Sequence, residues 1–154
     1  MQIEGENKLE LLIEIPRWSF SKRTSSGKLD FVSPFPCPFN YGRATALAGA
    51  DGDPLDIVML GPRLPRGTKV KVPIVGAVQF IDRGIADDKL ICGTRPIGHV
   101  KRFWILAFFR FYAQCKKLLY LFRRLSGPTY CAGWCNPAAA IARARQRQFD
   151  PARD

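Results

Sequence analysis

The chain has 154 residues, with 24 Lys and Arg against 13 Asp and Glu, a formal net charge of +11 and 47% hydrophobic residues. That length fits one domain with a real core and excludes a disordered polyelectrolyte. The longest apolar run, Phe103 to Phe109, falls far short of the ~20 residues a membrane span needs, and Met1 to Leu9 is polar with no apolar signal segment, so a cytoplasmic protein without a membrane partner is expected.

Leu11 to Ile15 reads as a buried strand stopped by Pro16. Arg17 to Lys28 is polar, with Ser25-Ser26-Gly27 as a hairpin turn. Ser33 to Phe39 carries prolines at alternate positions and should be extended and poorly paired. Leu55 to Leu60 is a short apolar strand. Lys69 to Ile74 alternates polar and apolar residues, Val78 to Ile81 follows it, and Asp88 to Cys92 begins a further strand. Four or five short strands separated by turns suggest a small barrel or sandwich. From Lys101 the pattern changes: Phe103 to Leu125 lacks Gly and Pro and reads as a helix, and Asn136 to Gln148 as a second, with Pro137 at its first position. Strands first and helices last make an α+β fold.

Five cysteines (Cys37, Cys92, Cys115, Cys131, Cys135) form an odd set, and free thiols are the expectation. Cys131 and Cys135 have no second Cys or His pair at zinc-site spacing.

Six of the 13 acids (Asp51, Asp53, Asp56, Asp82, Asp87 and Asp88) fall between positions 51 and 88, so the basic excess lies elsewhere. Gathering like charges costs free energy unless a cation compensates them. On an extended segment Asp51 and Asp53 point to one side, and Asp56 can return to the same pocket. Such oxygen ligands suit Mg²⁺ or Mn²⁺; a solvated acidic loop remains the alternative, since Asp-Gly and Asp-Pro are common turn dipeptides. Asp82 and Asp87 flank Gly84 between two strands and can come beside the first cluster. Lys89, two residues past Asp87, should share its face.

Together, Asp51-Gly52-Asp53-Pro54-Leu55-Asp56, the preceding Asn40-Tyr41-Gly42, Ile13-Glu14-Ile15-Pro16, and Ile81-Asp82 with Asp87-Asp88-Lys89 resemble the soluble inorganic pyrophosphatases of the first family. Order and spacing match from about residue 11 to 92. Gly133-Trp134 and Phe108-Phe109 with Tyr112 carry a weaker likeness into the helical part. The resemblance implies a five-stranded OB-like barrel (about 8–95) flanked by C-terminal helices (about 101–148) in a single domain spanning 1–154. It also implies hydrolysis of inorganic diphosphate dependent on several Mg²⁺ ions, by direct attack of water. By position it makes Asp51, Asp56, Asp82 and Asp87 metal ligands and Glu14 an outer metal-shell carboxylate. Asp53 becomes the general base, Tyr41 a residue lining the nucleophile site, and Lys22, Lys89 and Tyr112 phosphate contacts. The family commonly forms homo-oligomers, and the aromatic segment supplies apolar surface for one.

The chain departs from the family's pattern at Thr24, Phe31, Cys37, Arg83 and Ala113, where a glutamate, an arginine, a tyrosine, an acid and a lysine are expected. Arg83 adds positive charge, and Lys116 or Lys117 lies close enough to Ala113 along the helix to reach in. Three functions compete: diphosphate hydrolysis, hydrolysis of another phosphoanhydride, and binding of nucleic acid or phosphate without catalysis. For the last, Phe103 to Arg124 interleaves aromatics with cations as a stacking surface does, or packs its aromatics on the barrel with basic tips in water. The run Arg143, Arg145 and Arg147 reads as a solvated helix face.

Overall fold

Strand β1, Lys8–Ile15, alternates so that Leu11 and Ile13 are fully buried while Leu12 and Glu14 turn the other way. A computed structural model of the protein describes residues 8–23, 29–32, 36–48 and 54–148, and the side chains of these except 21–23, 29–32, 46–48, 54 and 146–148. Ser21–Arg23 (β2) and Leu29–Val32 (β3) form a separate antiparallel pair. The turn expected at Ser25 to Gly27 lies outside the described residues, as do Thr24 and residues 33–35 of the proline-rich segment.

The principal sheet adds β4 (Asn40–Ala48), β5 (Pro54–Met59), β6 (Lys69–Asp82), β7 (Ile85–Ala86) and β8 (Lys89–Cys92). Its order is β1-β4-β5-β8-β6, and β6 pairs back onto β1, so five strands close into a barrel. Every barrel pairing is antiparallel except β5 with β8, which is parallel. This is the five-stranded OB-type arrangement. Lys69 to Ile74 and the Val78 to Ile81 stretch that follows it belong to one 14-residue strand, whose pairing with β8 shifts between Ile74 and Gly76. Along its length β6 pairs with β1 from Lys69 to Pro73, with β8 from Ile74 to Val78 and with β9 from Ala77 to Ile81.

Helix α1 runs from His99 to Phe122, and α2 from Pro137 to Gln148. Asn136 caps α2: its Oδ1 accepts from the amide of Ala138 at 2.8 Å, while Pro137 takes the first helical position, where no amide is needed. Between the helices lies β9, Tyr130–Cys135, paired with β6, so the expected order of strands first and helices last is broken once. The short sequence YCAGWC lacks the alternation that marks a strand. A Cβ placed on Gly76 would stand 2.1 Å from the Trp134 indole, so this ring closes down on bare backbone. Arg102 covers the same indole at 4.8 Å.

The sheet has two apolar sides. Inside the barrel lie Leu11, Ile13, Leu55, Ile57, Ala77, Leu90 and Cys92, plugged by Ala140 and Ala144 of α2. On the outer side Tyr41, Val58, Val78, Phe80 and Ile91 pack against Ile105, Phe109 and Ala113 of α1. The helix packs one aromatic face on the barrel, as the packing reading of this segment expects. Phe109 is buried on the barrel, whereas Phe103, Trp104, Phe111, Leu118, Leu121 and Phe122 are exposed. No helix of the described residues is long and apolar enough to cross a membrane.

Candidate active site

Strand register builds the site. Asp56 of β5 pairs with Lys89 of β8 on one side and with Arg43 of β4 on the other. Residues two apart share a face, so Tyr41, Asp56, Val58, Lys89 and Ile91 all point to the outer side of the barrel. The Lys89 ammonium reaches Asp56 Oδ2 at 2.5 Å and Asp87 Oδ2 at 2.7 Å, with the lysine side chain only 2% exposed. The Tyr41 hydroxyl donates to the same Asp56 oxygen at 2.9 Å. Lys89 also stands over the Phe80 ring at 5.6 Å.

Burial works against charge on Lys89, but Asp56, then Tyr41 and Asp87, outweigh it and hold the ammonium well above the ordinary lysine range. Burial raises the Asp87 carboxyl; the Lys89 charge opposes this, and the neighbouring Asp56 adds to the rise. Burial, then Asp56, pushes the Tyr41 phenol far up, so it remains a hydrogen-bond donor.

Asp82 ends β6 just before a tight turn. Arg83 and Gly84 both have positive φ, at 52° and 81°, between the paired Asp82 and Ile85, which is the type I′ hairpin geometry. The Asp82 carboxylate accepts from Lys116 Nζ at 2.6 Å and from the Tyr120 hydroxyl at 2.8 Å. Burial raises this carboxyl, but the hydrogen bond and charge of Lys116, with Tyr120 behind them, leave it below the usual value. The Asp82 group and the Asp87 group also feel each other's lysine.

The remaining expected residues are placed as follows. Tyr112 lies 5.8 Å from Phe80 and 5.3 Å from Lys116, within the same aromatic wall. Glu14 is on the outer face with its carboxylate 3.5 Å from Arg43. Lys22 lies on β2, with its side chain not described, and Asp51 and Asp53 fall outside the described residues. Asp88 turns inward, buried, accepting from the Phe80 amide at 3.2 Å and from Arg143 Nε at 2.8 Å. Arg143 is therefore not part of a solvated face; it clasps α2 to the barrel. Of the substituted positions, Cys37 is half-buried beside the aromatic cluster and Ala113 is buried against the barrel. Arg83 covers the Tyr120 ring at 5.8 Å.

Tyr120 was not singled out from the sequence, because nothing in a helix run marks the tyrosine whose hydroxyl meets a carboxylate 38 residues away. Asn40 acts on the scaffold: its Oδ1 accepts from the amides of Arg17 and Leu64, both at 3.0 Å, and its Nδ2 donates to the Pro62 carbonyl at 2.7 Å.

Among the described residues, no three His, Cys, Asp or Glu side chains converge closely enough to hold a metal ion. Two carboxylates nevertheless meet at one cation position, that of the Lys89 ammonium. Carboxylate oxygens are the donors that hard divalent ions take, so Asp56 and Asp87 fit an ion of the Mg²⁺ class.

Residues 11–117 match the family model described as inorganic pyrophosphatase. The chain belongs to the inorganic pyrophosphatase family. It is 38% identical over 96 residues to the inorganic pyrophosphatase of Geobacillus stearothermophilus, covering 56% of this chain and 58% of that protein. It is 30% identical over 92 residues to that of Haemophilus influenzae, covering 54% and 52%. The match thus spans little more than half of either relative. The crystal structure of the inorganic pyrophosphatase from Thermus thermophilus is similar over 94% of this chain and 91% of that one, with a TM-score of 0.72 at 26% identity. That from Neisseria gonorrhoeae is similar over 92% and 89%, at 22% identity and the same TM-score, which speaks for the fold alone. The family-model match ends at 117, in the last third of α1, so β9 and α2 lie beyond it.

Proposed function

We propose that this protein hydrolyses inorganic diphosphate to two phosphates with the aid of divalent cations, Mg²⁺ first and Mn²⁺ as a substitute. The observation that carries the reading is the meeting of Asp56 and Asp87 on the buried Lys89 ammonium, in a chain of the pyrophosphatase family. Asp51, Asp56, Asp82 and Asp87 would hold the cations, with Glu14 in their outer shell. Bound there, cations supply charge neutralisation for the phosphates and acidify water.

The chain's own residues do the rest. Asp53 accepts the proton of the attacking water as its oxygen bonds to phosphorus and the bridging P–O bond breaks. Tyr41 fixes the orientation of Asp56 through its hydroxyl, and it is suited to that task because it stays protonated. Lys89 and Tyr112 would contact the phosphate oxygens, with Lys22 assigned the same role by its place in the sequence, and a charge-assisted hydrogen bond there is worth about 1.5–3 kcal/mol. The Phe80, Phe109 and Tyr112 rings wall the site from water on the helix side, which strengthens each of those contacts.

The reading extends to one domain over 1–154, to a homo-oligomer using the exposed apolar side of α1, and to the cytoplasm, supported by five free thiols. The test is phosphate release from diphosphate with Mg²⁺, with Mn²⁺ and with chelator, beside nucleoside triphosphates as competing phosphoanhydrides. Release that depends on cation and prefers diphosphate is expected. A wild-type rate in Asp53→Asn would remove the base assignment, and preference for triphosphates would change the substrate. Sedimentation of the purified chain tests the oligomer.

A further inference from the structure

Of the two lysines close to Ala113 along the helix, the structure turns Lys116 towards the site, whereas Lys117 is exposed. The Lys116 ammonium lies 2.6 Å from Asp82 Oδ2, 5.3 Å from the Tyr112 ring, and 6.0 Å from each of the Phe80 and Tyr120 rings. Lys89 stands 5.6 Å from the same Phe80 ring, so two ammonium groups flank one aromatic side chain. Ala113, one helical turn earlier, is buried and brings no charge to this wall. The helix thus delivers its inward cation from 116.

The two lysines sit in different electrostatic settings. Lys89 is shared by two carboxylates and is fixed by both. Lys116 has one, and Asp82 keeps a second donor, Tyr120, on its other oxygen. A lysine stem has four rotatable carbons, and its ammonium is a compact charge that can change partners. A divalent cation at Asp82 would contest the oxygen that Lys116 now holds, and the displaced ammonium would then be able to meet an incoming anion.

We propose that Lys116 is a resident counter-cation of Asp82 that yields this carboxylate to a divalent ion and then binds a phosphate group of the substrate. The phosphate half of this inference rests on the diphosphate reading; the exchange at Asp82 does not. It makes Lys116 a specificity-determining residue, with opposite effects on the two ligands: it competes with the metal and attracts the anion.

The experiment titrates the full chain with Mg²⁺ alone by calorimetry, and separately measures diphosphate KM and kcat, for wild type, Lys116→Met, Lys116→Gln, Lys116→Arg and, as control, the exposed Lys117→Met. Lys116→Met should bind Mg²⁺ several-fold more tightly yet raise the diphosphate KM at least fivefold, with a smaller change in kcat. Lys116→Gln, which keeps a hydrogen bond to Asp82 without the charge, should behave alike and guards against misfolding of the methionine variant. Lys116→Arg should restore KM, and Lys117→Met should alter neither quantity. A purely structural ion pair predicts unchanged or weaker Mg²⁺ binding in both neutral variants, and that result, or an unchanged KM, overturns the proposal. If the wild type does not hydrolyse diphosphate, the functional reading fails by itself. Mg²⁺ and diphosphate calorimetry on the same variants then still decides the role of Lys116.

Discussion

Arg143 Nε donates to Asp88 Oδ2 at 2.8 Å across 55 residues of chain, so of two adjacent aspartates one meets Lys89 and the other holds a helix. Asp88 is almost wholly buried, while the Arg143 side chain is 31% exposed. The pair and the Phe80 amide together satisfy a carboxylate that water does not reach.

Arg143→Met should therefore lower stability by about 1–3 kcal/mol, the range for stranding a buried charged acceptor whose partner is partly solvated. Diphosphate KM should stay near that of wild type, since Arg143 does not touch the site. Urea unfolding followed by circular dichroism, with kinetics on the same preparation, checks both halves.

Lys89→Met leaves Asp56 and Asp87 close together without their shared cation. Loss of one partner of a buried pair costs about 3–5 kcal/mol. Mg²⁺ should recover part of this by binding the folded state, and should raise Tm more in the variant than in wild type. Thermal melts with chelator and with Mg²⁺ measure the difference. An equal Mg²⁺ shift in both proteins would argue against cations at these carboxylates.

Tyr41→Phe removes one donor from Asp56 without removing the ring. The expected outcome is a loss of about 1 kcal/mol of transition-state stabilisation, a several-fold fall in kcat/KM, with a well-folded chain. A rate equal to wild type would show that Asp56 needs no help from the phenol.

Two glycines admit close neighbours of different kinds. A Cβ on Gly42 would meet the Leu12 carbonyl oxygen at 2.1 Å, which is backbone of the paired strand, whereas on Gly76 it would meet the Trp134 ring at the same distance. A ring can move and a paired strand cannot without breaking its ladder. Gly42→Ala should thus destabilise more than Gly76→Ala, the latter by about 1–3 kcal/mol. Chemical denaturation of both variants ranks them.

Burial pushes the Cys92 thiol from 9.0 up to about 12. The folded chain keeps this proton where the unfolded chain loses it. The contribution is intact below pH 9.0 and is lost as pH rises from there towards 12, by up to about 1.4 kcal/mol per pH unit. Cys92→Ala should flatten this slope between pH 9 and 10.5, and in the native wild type Cys92 should be the last of the five thiols to react with a disulfide reagent.

The barrel is legible in the apolar run Leu11 to Ile15 and the alternation of Lys69 to Ile74, α1 in a run without Gly or Pro, and α2 in an Ala-rich run opened by Pro137. Strand β4 was not assigned from sequence, because Asn40 to Ala48 is rich in small residues. Strand β9 carries no local signal, because its place depends on Gly76 and Trp134, 58 positions apart. Asp87 and Lys89 do meet, but Asp87 lies between β7 and β8 rather than on a strand with Lys89. What no local pattern could give is which acid meets which base. Asp82 finds Lys116 and Tyr120, and Asp88 finds Arg143, through the closure of the barrel and the docking of two helices on opposite sides of it.

Barrel closure also sets when the site can exist. Asp56 and Lys89 lie on strands that pair in parallel, and the chain between them must first lay down the whole of β6. Their contact spans 33 residues, and that of Asp82 with Lys116 spans 34. Such non-local contacts form only after the loop entropy of the intervening chain has been overcome. A refolding chain should therefore acquire its helical signal before any catalytic rate, and hydrolysis should return in step with the slowest structural phase.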